Sequence, residues 1–297
     1  MKKSSKIRNV KDRIKKHAIY IQVIDLFCLL KKVKFSLALP VFFDIFFLLL
    51  FGFFTANIFA KIVENIQQLG IVAMQNSEQF GKALGSNSGL LDVFTLNEFS
   101  GIYIKNIIFS YLLLGLVVLV IYSFFQGISW RFCLNFCQEK KNRIGLFDYV
   151  KKFFLVNLFW LVPVAVYHFL SILVAFQTRM GKKFGVSGIT VFGVVTFLVF
   201  LLLIYLMPLS YSLISNKKSV WQSFKNSFVL GFKNAKILVP VYLIIFLGFV
   251  VINQFMILLF MIHSITMYIT GTLLLMPFIS ISRMFIISVV KDLINKD

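Results

Sequence analysis

Residues 237–262 read ILVPVYLIIFLGFVVINQFMILLFMI, and residues 265–290 read ITMYITGTLLLMPFISISRMFIISVV. Only His263 and Ser264 stand between them. Each run exceeds the roughly 20 apolar residues a helix needs to cross a hydrocarbon core about 30 Å thick. Two such rods joined by two residues must turn straight back, which predicts a transmembrane helical hairpin. The one charge in either run is Arg283, so the membrane part of the second rod is expected to stop near Ser282.

Reading outward from this hairpin, four more apolar runs qualify as spans: Phe35–Ala60, Ile104–Ser129, Phe153–Phe176 and Ile189–Ile214. The composition agrees. Of 297 residues, 59% are hydrophobic and only 14% are charged, against about 25% charged in an average soluble domain. A water-soluble fold of this size lacks enough polar surface to cover so much apolar side chain. Disorder, collagen and a disulfide scaffold are excluded by the same numbers. The expected fold class is an all-α polytopic membrane protein with six transmembrane helices.

The basic residues give the direction of the spans. Only six of the 31 Lys and Arg fall on the side of the first, third and fifth connections: Lys61, Lys82, Lys105, Arg179, Lys182 and Lys183. The others flank the opposite ends of the spans. Because positive residues stay cytoplasmic during insertion, both termini are expected in the cytoplasm of a multi-pass cell-membrane protein, and an even number of spans agrees with that. Topology explains the net charge of +20 more economically than nucleic-acid binding does, and no nucleic-acid partner is expected. Residues 1–18 form a basic tail. They precede a segment containing Gln22 and Asp25 and lack the uninterrupted apolar core of a cleavable signal.

All five prolines lie in the spans, in two patterns. Leu39-Pro40-Val41, Val162-Pro163-Val164 and Val239-Pro240-Val241 open spans one, three and five. Pro208 and Pro277 lie late in spans four and six, where span two has Phe125-Gln126-Gly127. Proline bends a helix interior and costs little near a helix start. Each odd span also follows a basic amphipathic stretch: 19–34, 145–152 and 219–236. In the last of these, Val220, Trp221, Phe224, Phe228 and Phe232 make an apolar stripe beside Lys225, Lys233 and Lys236, a composition suited to the membrane–water boundary. The expectation is therefore three repeats of an elbow helix plus a hairpin, at 19–137, 138–216 and 217–290, within one membrane domain over 19–297. The first repeat carries an outer loop, 61–103, expected to cap the outer face. Ile62, Ile66 and Leu69 recur there at helical spacing, which predicts that the first helix continues past the bilayer.

Residues 218–228, Lys-Ser-Val-Trp-Gln-Ser-Phe-Lys-Asn-Ser-Phe, stand before a proline-opened span. They resemble the elbow segment of uncharacterised prokaryotic multi-pass membrane families, among them the membrane domain fused to some glycerophosphodiester phosphodiesterases. The resemblance covers about residues 105–290. No phosphodiesterase catalytic segment occurs in these 297 residues, so the resemblance implies a fold and a membrane address, with no activity attached.

Ionisable residues inside hydrocarbon are functional hypotheses by default. Asp44 follows Pro40 by four residues, and His168 follows Pro163 by five. Superposing the repeats on their prolines puts the two at similar depth, with Tyr167 the formal counterpart of Asp44. The candidate intramembrane polar site is therefore Asp44, His168, Tyr167 and Gln126, with an Asp44–His168 pair at its centre. The alternative leaves Asp44 protonated or reaching toward the basic elbow. Trp221, Lys225, Arg131 and Arg283 are the expected lipid head-group contacts, which makes anionic lipid at the cytoplasmic face the expected partner. Cys133 and Cys137 lie one turn apart without the further ligands a metal needs, so neither metal nor cofactor is expected. Phosphate-binding loop, zinc-protease and nucleophile-elbow signatures are missing. The expected role is a non-enzymatic membrane scaffold or interaction module. The alternative is a transporter or lipid-handling permease using the Asp/His pair.

Overall fold

The computed structural model describes residues 24, 31, 34–75, 98–137, 144–183, 191–215 and 219–296. They form a short 3-10 turn, Lys34–Leu37, and seven α-helices: α1 (Ala38–Gln75), α2 (Glu98–Cys137), α3 (Leu146–Lys183), α4 (Val191–Ser212), α5 (Val220–Lys233), α6 (Ala235–Ile262) and α7 (Ser264–Lys296). All but α5 are long and apolar enough to cross a membrane. Helices are the expected solution, since hydrocarbon offers backbone groups no partner outside the segment itself. α6 and α7 form the hairpin read from the sequence, with His263 as the extended link. α1 runs on through Ile62, Ile66 and Leu69 as their spacing predicts. Most of the outer loop, 76–97, lies outside the described residues.

The chain divides into two compact units, Met1–Ile45 with Phe125–Asp297, and Phe46–Phe124. In the first unit α7 is the most enclosed helix, with 56% of its apolar window buried. The core gathers around the C-terminal turns of α4. Phe153 and Tyr211 lie with ring centroids 4.3 Å apart, and Trp130 meets Tyr211 edge-on at 5.5 Å. A helix leaves its last carbonyls without intrahelical partners. Here side chains satisfy those at and just beyond the end of α4: Tyr149 Oη donates to the Tyr211 carbonyl at 2.9 Å, and Lys152 Nζ donates to that of Ser215 at 2.7 Å. Tyr211 Oη in turn donates to Asn157 Oδ1 at 2.6 Å, and Trp160 Nε1 to Ser210 Oγ at 2.9 Å.

α5 forms for local reasons and docks for steric ones. Ser219 and Gln222 make a reciprocal capping box at its start. Asn234, at φ −110° and ψ 24°, breaks it from α6. Its buried residues are Ser223, Ser227, Leu230 and Gly231. Gly231 permits close approach to α4: a Cβ there would stand 2.9 Å from Leu206 Cδ2. Tyr205 Oη donates to the Gly231 carbonyl at 2.7 Å across the same seam. Of the aromatic stripe, Phe224 and Phe228 pack on Trp160 of α3, while Trp221 and Phe232 stay more than half exposed.

The middle elbow corrects the expectation. Residues 145–152 do not form a separate helix, because α3 runs unbroken from Leu146. No residue there plays the part of Asn234; Lys151-Lys152-Phe153-Phe154 continues a helix without strain. Pro163 consequently stands 17 residues into α3, while Pro40 lies in the first turn of α1 and Pro240 in the second turn of α6. Pro163 does not open its helix, and it is not equivalent to the other two. The first elbow, 19–34, lies almost wholly outside the described residues.

Candidate functional site

Three helical segments within the first unit bring polar side chains together in a buried cluster. Asp44 sits six residues after the first residue of α1, Gln126 in the later part of α2, and Arg283 in α7. Their exposures are 2%, 6% and 7%. Arg283 grips the carboxylate with both ends of its fork: Nη1 donates to Asp44 Oδ2 at 2.7 Å and Nη2 to Oδ1 at 3.0 Å. Gln126 closes the ring. Its Nε2 donates to Asp44 Oδ1 at 3.1 Å, and its Oε1 accepts from Arg283 Nη2 at 2.5 Å. The guanidinium carbon also lies 5.9 Å from the centroid of the Trp130 ring. Paired, forked hydrogen bonds are the strong kind, and pairing offsets the desolvation of both charges.

Neighbouring contacts hold the three helices in register. Ser129 Oγ donates to the Pro40 carbonyl at 3.1 Å, joining α2 to the first turn of α1. Phe43 stacks on Phe132 with centroids 6.0 Å apart. Cys133 and Cys137, one turn apart on α2, lie with Sγ 3.8 Å from the carbonyls of Ser280 and Met284, one turn apart on α7. Lys291 Nζ donates to the Cys137 carbonyl at 3.2 Å, closing the end of α2.

Of the expected polar site, the structure joins Asp44 to Gln126 and to neither His168 nor Tyr167. His168 lies on an exposed face of α3, and Tyr167 stacks on Phe200 of α4 at 5.7 Å. The pairing expectation failed because it aligned Pro40 with Pro163, and those prolines occupy different places in their helices. Arg283 is the residue that sequence reasoning put elsewhere. Both Arg283 and Arg131 (5% exposed) are enclosed by protein, so they are not lipid head-group contacts. Trp221 and Lys225 are exposed, as a head-group role requires. The signal for the Asp44–Arg283 pair was present: one acidic residue and one arginine, each inside a different apolar run, and each near a basic-flanked end.

The second unit holds a different polar site. Phe47 meets Tyr122 edge-on at 5.8 Å, and Asn65 lies 3.5 Å from Asn106, which sets α1 and α2 antiparallel. Between them is a cavity of about 620 Å³, walled by Asn57, Lys61, Glu64 and Asn65 of α1 and by Tyr103 and Asn106 of α2, among others. The sequence reading assigned none of these residues to a site; their signal was polar side chains at helical spacing just beyond an apolar run. No protein-family model, curated protein or solved structure matches the chain.

Proposed function

We propose that this chain is a non-enzymatic scaffold or interaction protein of the cell membrane, with both termini in the cytoplasm and a rigid core where its basic helix ends meet. One observation carries the reading: Asp44, the acidic residue buried within a span, is saturated by Arg283 and Gln126. A carboxylate that carries protons or releases cargo must exchange partners. One held by a bidentate guanidinium among packed aromatic rings serves instead to fasten α1, α2 and α7. The cavity in the second unit is lined by none of these three residues.

The partner that fits is the bilayer itself, with anionic lipid under α5. Trp221, Phe232, Lys225 and Lys233 are exposed on that short helix, and aromatic rings with lysines suit a head-group boundary. The resemblance of its sequence to elbow segments of multi-pass families supports the same placement.

The test is reconstitution of the full chain into liposomes enclosing a pH-sensitive dye, followed by an imposed pH step. Proton flux is expected to equal that of protein-free vesicles. A flux that Asp44→Asn abolishes would overturn the scaffold reading in favour of a transporter. Thiol labelling of single cysteines placed at Gly145 and Ser219 is expected to report the same side of the bilayer.

A further inference from the structure

The cavity of the second unit combines features that the buried clasp lacks. Lys61 and Glu64 are one turn apart on α1, so their side chains are neighbours on one face. Both are exposed, and among the described residues no ion pair engages either. Amides surround them: Asn57 and Asn65 on the same face, and Asn106 opposite. Asn57 and Asn65 each donate to a carbonyl one turn back, at 2.8 and 2.7 Å, which fixes their rotamers and leaves hydrogen-bonding capacity over. The wall is graded. Ile58, Phe109 and Leu113 line the part nearer the apolar runs of the two helices, while Glu64, Gln68 and Tyr103 line the part beyond them. The apolar stretch from Ala38 to Phe59 is long enough for one crossing, so Lys61 and Glu64 fall at the level of lipid head groups.

A cation and an anion side by side, framed by amides and floored by apolar side chains, are complementary to a zwitterion attached to a hydrocarbon tail. We propose that this cavity binds a phospho-amine zwitterion, with its phosphate against Lys61, its ammonium against Glu64, and hydrogen bonds from Asn57, Asn65 and Asn106 around it. The cavity volume suits a head group of that size, since small-molecule sites span roughly 300–1,000 Å³. Two sources carry this chemistry: the head group of a zwitterionic phospholipid, whose chains would lie along Ile58, Phe109 and Leu113, and a free phospho-amine.

The experiment titrates the full-length protein, in mild detergent, with short-chain phosphatidylethanolamine and with phosphatidylglycerol of the same chain length, reading bound lipid by native mass spectrometry. The zwitterionic lipid is expected to fill one site per chain that Lys61 and Glu64 control, and phosphatidylglycerol is expected to bind that site at least tenfold more weakly. Lys61→Gln with Glu64→Gln is expected to lower the affinity for the zwitterionic lipid at least tenfold without shifting the melting temperature. The exchanged variant, Lys61→Glu with Glu64→Lys, keeps both charges and is expected to retain most of the binding. Competition by free phosphoethanolamine at similar concentration identifies a soluble occupant, and its failure to compete identifies the lipid; either supports the site. Phosphatidylglycerol binding as tight as phosphatidylethanolamine binding, and weakened as much by the doubly neutral variant, overturns the proposal. So does undiminished binding in the doubly neutral variant.

Discussion

α1 and α2 each carry two polar stations, and the protein treats them oppositely. At Asp44 and Gln126 a third helix supplies Arg283, and every charge is enclosed and hydrogen-bonded. At Lys61, Glu64, Asn65 and Asn106 no third helix is described. The charges stay exposed and the side chains face a cavity. The residue types are nearly the same, an acid, a base and an amide. What differs is whether desolvation has been completed. A charge taken fully out of water must be paired within the protein, which makes a fastener of it. A charge left at a wet boundary costs little and keeps its capacity for a ligand.

That contrast breaks most visibly at Arg283. Arg283→Leu leaves the Asp44 carboxylate buried without its cation and is expected to cost about 3–5 kcal/mol, read as a large fall in the melting temperature of the purified protein. Asp44→Leu combined with Arg283→Met, which removes both charges, is expected to recover most of this loss. If the double variant were as unstable as the single, the pair would not be what fastens these helices.

The identity of Asp44's partner is sharpened by a pair of mutant cycles. Asp44→Asn with Arg283→Gln is expected to be non-additive by about 1–3 kcal/mol, and Asp44→Asn with His168→Gln additive within about 0.5 kcal/mol. Coupling to His168 would restore the pairing that the prolines suggested.

Next in size is the seam between α4 and α5. Gly231→Ala places a methyl group 2.9 Å from Leu206 Cδ2 and 3.3 Å from Leu209 Cδ1, and overpacking of this kind costs about 1–3 kcal/mol. Ser219→Ala removes half of the capping box and is expected to cost about 1 kcal/mol, seen as faster hydrogen exchange in the first turn of α5. The smallest effect belongs to the open station. Lys61→Gln and Glu64→Gln are each expected to change stability by less than about 0.5 kcal/mol, and a larger loss would place them with the fastener.

The sequence by itself determined the six crossings, because apolar runs of that length and composition have no other stable home. It also determined the start of α5, where Ser219 and Gln222 are local partners, and the continuation of α1, where Ile62, Ile66 and Leu69 keep the helical period. Local chemistry suffices for such features. Proline spacing was a poorer guide. Pro163 and Pro240 look alike in their immediate sequence, yet a helix begins wherever the last breaker stands, and only Asn234 supplied one. The partner of Asp44 was decided by tertiary structure alone. Asp44 and Arg283 are 239 residues apart, and periodicity along one helix carries no information about which neighbour its buried face meets. The same holds for the cavity, which exists only because two polar faces, each unremarkable on its own helix, were brought opposite one another.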